Sequence, residues 1–134
     1  VNRNEAALKR FLRAAPGIYL TGYQHDEGAL GAVMVLLKAR EPMDWPSFPE
    51  LAQHLGLSVA TLRRQLGQQG HSYRSLKSDL RRDRALTLLR NADLSVAQIS
   101  HMLGFAEPSA FFRAFRGWTD LTPDQWRKSQ LNRV

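Results

Sequence analysis

The sequence predicts an all-α protein: two helix-turn-helix subdomains bridged by one long helix, with an extra helical segment at the N-terminus. Three observations carry this reading. Apolar residues recur at helical spacing through most of the chain, and Val, Ile and Thr never alternate over a strand's length. Polar residues able to cap a helix stand at regular points from Ser47 onward. Finally, one stretch occurs twice. Leu51-Ala52-Gln53-His54-Leu55-Gly56-Leu57-Ser58 aligns with Ile99-Ser100-His101-Met102-Leu103-Gly104-Phe105-Ala106 at an offset of 48. Beyond the turn, Leu62, Arg64 and Leu66 align with Phe111, Arg113 and Phe115 at an offset of 49.

The elements follow in order. Residues 5–14 read as a helix stopped by Pro16-Gly17, and residues 1–27 as the linker or tail of a domain that this chain lacks. Leu30, Val33, Met34 and Leu37 mark one face of a helix from about Gly28 to Arg40, and Pro42 to Pro46 breaks it. Ser47-x-x-Glu50, Ser95-x-x-Gln98 and Thr122-x-x-Gln125 fit the capping box, Ser58 and Ser72 fit simple caps, and Pro123 fits a first helical position. These signals predict short helices near 48–55, 59–68, 96–103, 108–117 and 123–130. A long helix is expected from about Tyr73 to Arg90, with Tyr73, Leu76, Leu80, Leu88 and Leu89 facing inward. One helix-turn-helix then occupies about 48–68, the bridge 73–90, the second unit 96–117 and a last helix 123–130, all within a domain of residues 28–134.

In each copy of the repeat the glycine suits a left-handed backbone, which any residue with a Cβ adopts at a cost. The apolar residue after it plugs the corner between the helices. Ala52 and Ser100 are small where the two helices must approach closely.

Composition narrows the function. The chain has 134 residues and 43% hydrophobic residues, enough for a packed core. Its net charge of +7 is unevenly placed: residues 1–47 contribute +1 and residues 48–134 contribute +6. Eleven of the 13 basic residues in the second part are Arg, whose planar fork suits phosphates and guanine edges. The surplus suits an acidic partner, whether nucleic acid, an anionic membrane or an acidic protein. With no cysteine there is no disulfide, no cysteine-ligated zinc and no thiol nucleophile, which fits a reducing cytoplasm. The longest apolar run, Ala29 to Leu37, is nine residues, too short for a bilayer, so no membrane partner is expected. No signal peptide stands out, and a chain that opens at Val1 reads as a fragment of a longer protein. His25, His54, His71 and His101 lack metal-ligand spacing, and no nucleophile elbow or phosphate loop is present. No enzyme, metal or cofactor is therefore expected.

A helix-turn-helix lays its second helix in the major groove, with the reading residues on the outer face near that helix's N-terminus. In the first unit these are Ala60, Thr61, Arg63 and Arg64; in the second, Glu107, Pro108, Ser109, Phe112, Arg113 and Arg116. Arg can hold guanine bidentately, Ala60 and Phe112 suit a thymine methyl, and Ser and Thr suit phosphate. A bridge of about 18 residues is roughly 27 Å long, near the roughly 34 Å between successive major-groove faces. One chain can thus read two adjacent grooves of double-stranded DNA. Arg81, Arg82 and Arg84 form a basic cluster on the bridge, but internal ion pairs with Asp79 and Asp83 account for it equally well, and Arg81 suits a structural role. Phe105, Phe111, Phe115, Trp118 and Trp126 read as core. The competing reading is a module whose helices dock on RNA polymerase, with only weak DNA binding.

From Trp45 to Arg127 the sequence resembles the DNA-binding domain of the AraC (arabinose-regulator) family of transcription regulators. The likeness rests on L-A-x-x-L-G-L-S-x-x-T-L-R-R at 51–64, G-x-S-Y at 70–73 and R-x-x-x-A-x-x-L-L at 81–89. It continues through I-S-x-M-L-G-F-x-E-P-S-A-F-F-R-A-F-R-G-W at 99–118 and T-P-x-Q-W-R at 122–127. Residues 5–41 resemble, more loosely, the helical stretch joining sensor and DNA-binding domains in the subgroup with an arabinose-binding-like N-terminal domain. The resemblance implies homeodomain-like three-helical units, a transcription activator, and RNA polymerase as a further partner. It also implies a small-molecule effector acting through an N-terminal domain absent here, and leaves a dimeric full-length protein open. The family's base-reading positions carry over to Ala60, Arg63 and Arg64, and to Pro108, Ser109 and Arg113. Pro108 departs from the polar residue that some members have there.

Overall fold

A computed structural model describes residues 28–131. Every element in that span is helical, and the expected strand-free architecture is present. The helices are α1 (Gly28–Lys38), α2 (Phe48–His54), α3 (Val59–Gln68), α4 (Tyr73–Leu89), α5 (Val96–Met102), α6 (Pro108–Thr119) and α7 (Pro123–Leu131), with a 3₁₀ turn at Pro42–Asp44. They divide into two compact units, one of residues 28–36 and 46–73, the other of residues 37–45 and 74–131. The predicted helix at 5–14, and the tail assigned to 1–27, lie outside the described residues.

In the first unit, α2 starts in a complete capping box. The Glu50 amide donates to Ser47 Oγ at 3.2 Å and the Ser47 amide donates to Glu50 Oε1 at 2.9 Å. The bonds from the Ser47 backbone and side chain hold the Glu50 carboxyl below its usual range. Ser58 caps α3 by accepting from the Thr61 amide at 3.0 Å. Val33, Leu51, Ala52, Leu62, Leu66 and Tyr73 are buried. The Tyr73 hydroxyl satisfies its polar end by donating to the Pro46 carbonyl at 2.7 Å.

The second unit is built on an apolar cluster of Ala85, Leu89, Ile99, Leu103, Phe111 and Phe115. Trp118 and Trp126 pack edge-on against Phe115, with ring centroids 6.1 and 6.3 Å away. Ser95 and Gln98 form the second capping box, and Thr122 and Gln125 exchange the same pair of bonds at the start of α7. Two arginines tie connections down. Arg81 Nε donates to the Leu103 carbonyl at 2.9 Å, and its guanidinium lies over both Trp45 and Phe105. Arg127 donates to the carbonyls of Leu89, Asn91 and Leu94, holding the connection between α4 and α5.

The structure refines the reading of the sequence at several points. α1 stops at Lys38 rather than Arg40, and Pro42–Asp44 winds into a 3₁₀ turn rather than a plain break. α6 runs on to Thr119, ending at Asp120 in a left-handed conformation with φ 65°. On α4, Leu80 and Leu88 are only half-buried, whereas Ala85 is fully buried. A single methyl carries too little hydrophobicity to mark the inward face by pattern.

The two turns of the repeat are the same hydrogen-bonded motif. Leu57 N–H donates to the Ala52 carbonyl at 2.9 Å and Gly56 N–H to that of Gln53 at 3.1 Å; Phe105 and Gly104 do the same to Ser100 and His101 at 3.1 and 2.9 Å. This is the Schellman arrangement, which needs a left-handed residue after the helix; Gly56 and Gly104 supply it with φ 70° and 85°. A Cβ at Gly56 meets open space, but at Gly104 it would stand 3.1 Å from the Pro42 carbonyl oxygen. Gly56→Ala should therefore cost only the left-handed penalty, about 1–2 kcal/mol, and Gly104→Ala distinctly more. Urea unfolding of the two variants checks this; equal losses would mean that the Pro42–Asp44 turn yields freely.

Ala52 and Ser100 are both 1% exposed, and the Ser100 hydroxyl has no hydrogen-bond partner among the described residues. Since the first unit has alanine at the matching place, Ser100→Ala should stabilise the chain by about 1 kcal/mol, by removing a buried unsatisfied polar group. A lowered melting temperature would contradict this.

Candidate nucleic-acid interface

Each second helix presents its candidate residues on one face. In α3, Ala60, Arg63 and Arg64 are exposed and share a face by helical spacing. Thr61 is half-buried and engaged in the cap, where its hydroxyl accepts from Ser58 Oγ at 2.9 Å. In α6, Ser109, Phe112, Arg113 and Arg116 follow the spacing i, i+3, i+4, i+7. Ser109, Arg113 and Arg116 are exposed; Phe112 is half-buried and packs against the apolar cluster, so only part of its ring faces outward. Pro108 is the first residue of α6 and is exposed, as is the preceding Glu107, which makes no side-chain cap bond. Without an amide hydrogen, Pro108 cannot donate a backbone bond to a phosphate.

Charge pairing separates these arginines from Arg82 and Arg84 on α4. Among the described residues Arg64, Arg113 and Arg116 form no ion pair, whereas Arg82 lies 3.8 Å from Asp79 and 3.2 Å from Asp83, and Arg84 pairs with Glu41. Arg81 is committed to the Leu103 carbonyl. Within the basic cluster on α4, Arg82 makes the ion pairs with Asp79 and Asp83 that the alternative reading of the sequence expected, whereas Arg84 turns to Glu41, outside the helix. Arg63 differs from Arg64: its guanidinium carbon lies 5.4 Å from the Phe48 ring centroid. Nothing in the sequence pattern flagged that contact, which brings together two helices of one unit. His54 and His101 are exposed and His71 is half-buried; no group of three His, Cys, Asp or Glu residues suited to a metal occurs among the described residues.

Comparison with known proteins bears on these surfaces. A family described as "Helix-turn-helix domain" matches residues 51–129, which takes in α3, α4, α5 and α6 and most of α2 and α7. The chain is 36% identical over 126 residues to the transcriptional regulator VqsM of Pseudomonas aeruginosa, covering 94% of this chain and 39% of that protein. It is 33% identical over 105 residues to the urease operon transcriptional activator of Escherichia coli, covering 78% of this chain and 35% of that protein. A crystal structure of a regulator with an AraC-type DNA-binding domain from Chromobacterium violaceum superposes with a TM-score of 0.71 at 25% identity, over 81% of this chain and 96% of that one. The chain belongs to the AraC family of helix-turn-helix DNA-binding domains.

Both units of this AraC-type domain keep the exposed arginine at the same place in the second helix, Arg64 in α3 and Arg113 in α6. Around it they diverge. The position of Arg63 in the first unit is held by Phe112 in the second, and that of Phe48 by Val96, so a cation over an aromatic ring is replaced by two apolar side chains packed on the core. No helix among the described residues is long and apolar enough to cross a membrane.

Proposed function

We propose that this chain is the sequence-specific, double-stranded DNA-binding module of a cytoplasmic transcription regulator, with α3 and α6 entering adjacent major grooves of one duplex. The observation that carries the proposal is the pair Arg64 and Arg113: equivalent, exposed and, among the described residues, outside any ion pair, at matching positions of both second helices. In this reading each holds a guanine edge, with Arg63 as a second reader in the first unit and Ser109 and Arg116 as base or phosphate contacts in the second. Thr61 and Pro108 are assigned to positioning the helix starts, and Ala60 and Phe112 to apolar contact with thymine. Residues 28–134 form the DNA-binding domain, and residues 1–27 join it to an effector-binding domain beyond this chain. In the whole regulator, RNA polymerase is the second partner and activation the output; the urease operon transcriptional activator, which the chain resembles, is named for activation. No catalysis is assigned to the module.

The test is binding to a duplex selected from a randomised pool, against a scrambled duplex, over a salt series. A slope of log affinity against log salt of about −0.9 per neutralised phosphate, with clear preference for the selected duplex, supports the reading. Equal, weak binding to both duplexes at low salt would favour the second reading, docking on polymerase with little DNA recognition.

A further inference from the structure

We infer that Phe48 is a positioning residue for Arg63, making the first unit a reader with a preset guanidinium while the second has no such device. The inference rests on the proposal that Arg63 contacts DNA, and adds how that side chain is aimed. Phe48 is the first residue of α2, placed there by the Ser47–Glu50 capping box. Its ring lies 5.5 Å from that of Tyr73 at a tilt of 33°, and Tyr73 is fixed by its hydroxyl bond to the Pro46 carbonyl. The ring is therefore packed against a buried, anchored tyrosine, and it also lies 5.4 Å from the guanidinium carbon of Arg63.

An exposed arginine has many rotamers, and binding a base edge confines it to one. A ring that already holds the guanidinium reduces what remains to be lost on binding, the general advantage of preorganisation. Where a guanidinium lies flat on a ring, its edge keeps its N–H donors for another partner. The second unit has the same helix pair and the same capping box, yet Val96 and Phe112 occupy the matching positions and pack against the core. The preset arginine is thus a feature of the first unit alone, and it supplies a physical basis for unequal reading by two halves of one repeat.

The experiment is a double-mutant cycle on the full chain with the selected duplex, using Phe48→Leu, Phe48→Tyr, Arg63→Ala and the Phe48→Leu/Arg63→Ala pair, with thermal melting of each. A cation–π contact at an exposed site corresponds to roughly two- to fivefold in affinity. Phe48→Leu should weaken binding to the selected duplex by that factor, Phe48→Tyr should restore it, and Phe48→Leu should add nothing in the R63A background. The melting shift caused by Phe48→Leu should be smaller in the R63A background, where the contact is already gone. If Phe48→Leu weakens DNA binding equally with and without Arg63, the ring acts only through folding and the positioning role is wrong. If Arg63→Ala leaves binding unchanged, the fault lies instead with the assignment of Arg63 as a DNA contact.

Discussion

A chain carrying both Arg64→Ala and Arg113→Ala should bind its selected duplex roughly 30- to 25,000-fold more weakly than the wild type, since each guanine grip contributes about 1–3 kcal/mol. The two residues lie in separate units and share no partner, so the single losses should add to within about 0.5 kcal/mol. Binding to scrambled duplex should suffer far less, because there the arginines contribute only charge. The folded state should be unaffected: both side chains are exposed and outside any ion pair among the described residues. Competition titrations with both duplexes, with circular dichroism as a control, measure this. A parallel loss on both duplexes would assign these arginines to phosphates rather than bases.

The largest effect on stability is expected at Phe115. It is 0% exposed, and Phe111, Trp118 and Trp126 all set their rings against it at centroid distances of 5.8 to 6.3 Å. Removing the ring deletes buried apolar surface and leaves a cavity walled by three large, rigid side chains that cannot close it. Phe115→Ala should thus cost about 3–5 kcal/mol, a large share of the roughly 5–15 kcal/mol of a typical domain. The matching Leu66→Ala in the first unit should cost about 2–5 kcal/mol. Since the units are separate compact bodies, Phe115→Ala is also expected to split urea unfolding into two transitions, the second unit melting first. A single unshifted transition would contradict the cavity argument.

The sequence carried the local features well and the distant ones poorly. Caps at Ser47, Ser58, Ser95 and Thr122 were legible because each bond spans three residues. The turn glycines were legible because their backbone angle is a local demand, and the reading faces because the repeat aligned them. Arg127 and Arg81 bond to carbonyls 33 to 38 and 22 residues away. Backbone acceptors have no residue type, so no pattern in the sequence announces them. Phe112 shows the opposite failure. Helical spacing puts it on the outward face with Arg113, but a large ring at a helix flank also reaches sideways into the core, and spacing alone does not tell the two directions apart. The Phe48–Arg63 contact escaped notice for a related reason: it joins the first residue of one helix to the middle of the next, a pairing fixed by how the helices cross.

The three carbonyls held by Arg127 have a consequence for how the second unit opens. All three belong to the end of α4 and the residues after it, which have few helical partners of their own, so their order depends on a side chain from near the end of the described chain. Fraying of α7 and loosening of residues 90–95 therefore become a single cooperative event rather than two. In native-state hydrogen exchange, the amides of Asn91 and Leu94, which bond within this connection, should share one opening free energy with those of α7. A protease cut within α7 would then be felt at the entrance to α5, well before the reading helix of that unit.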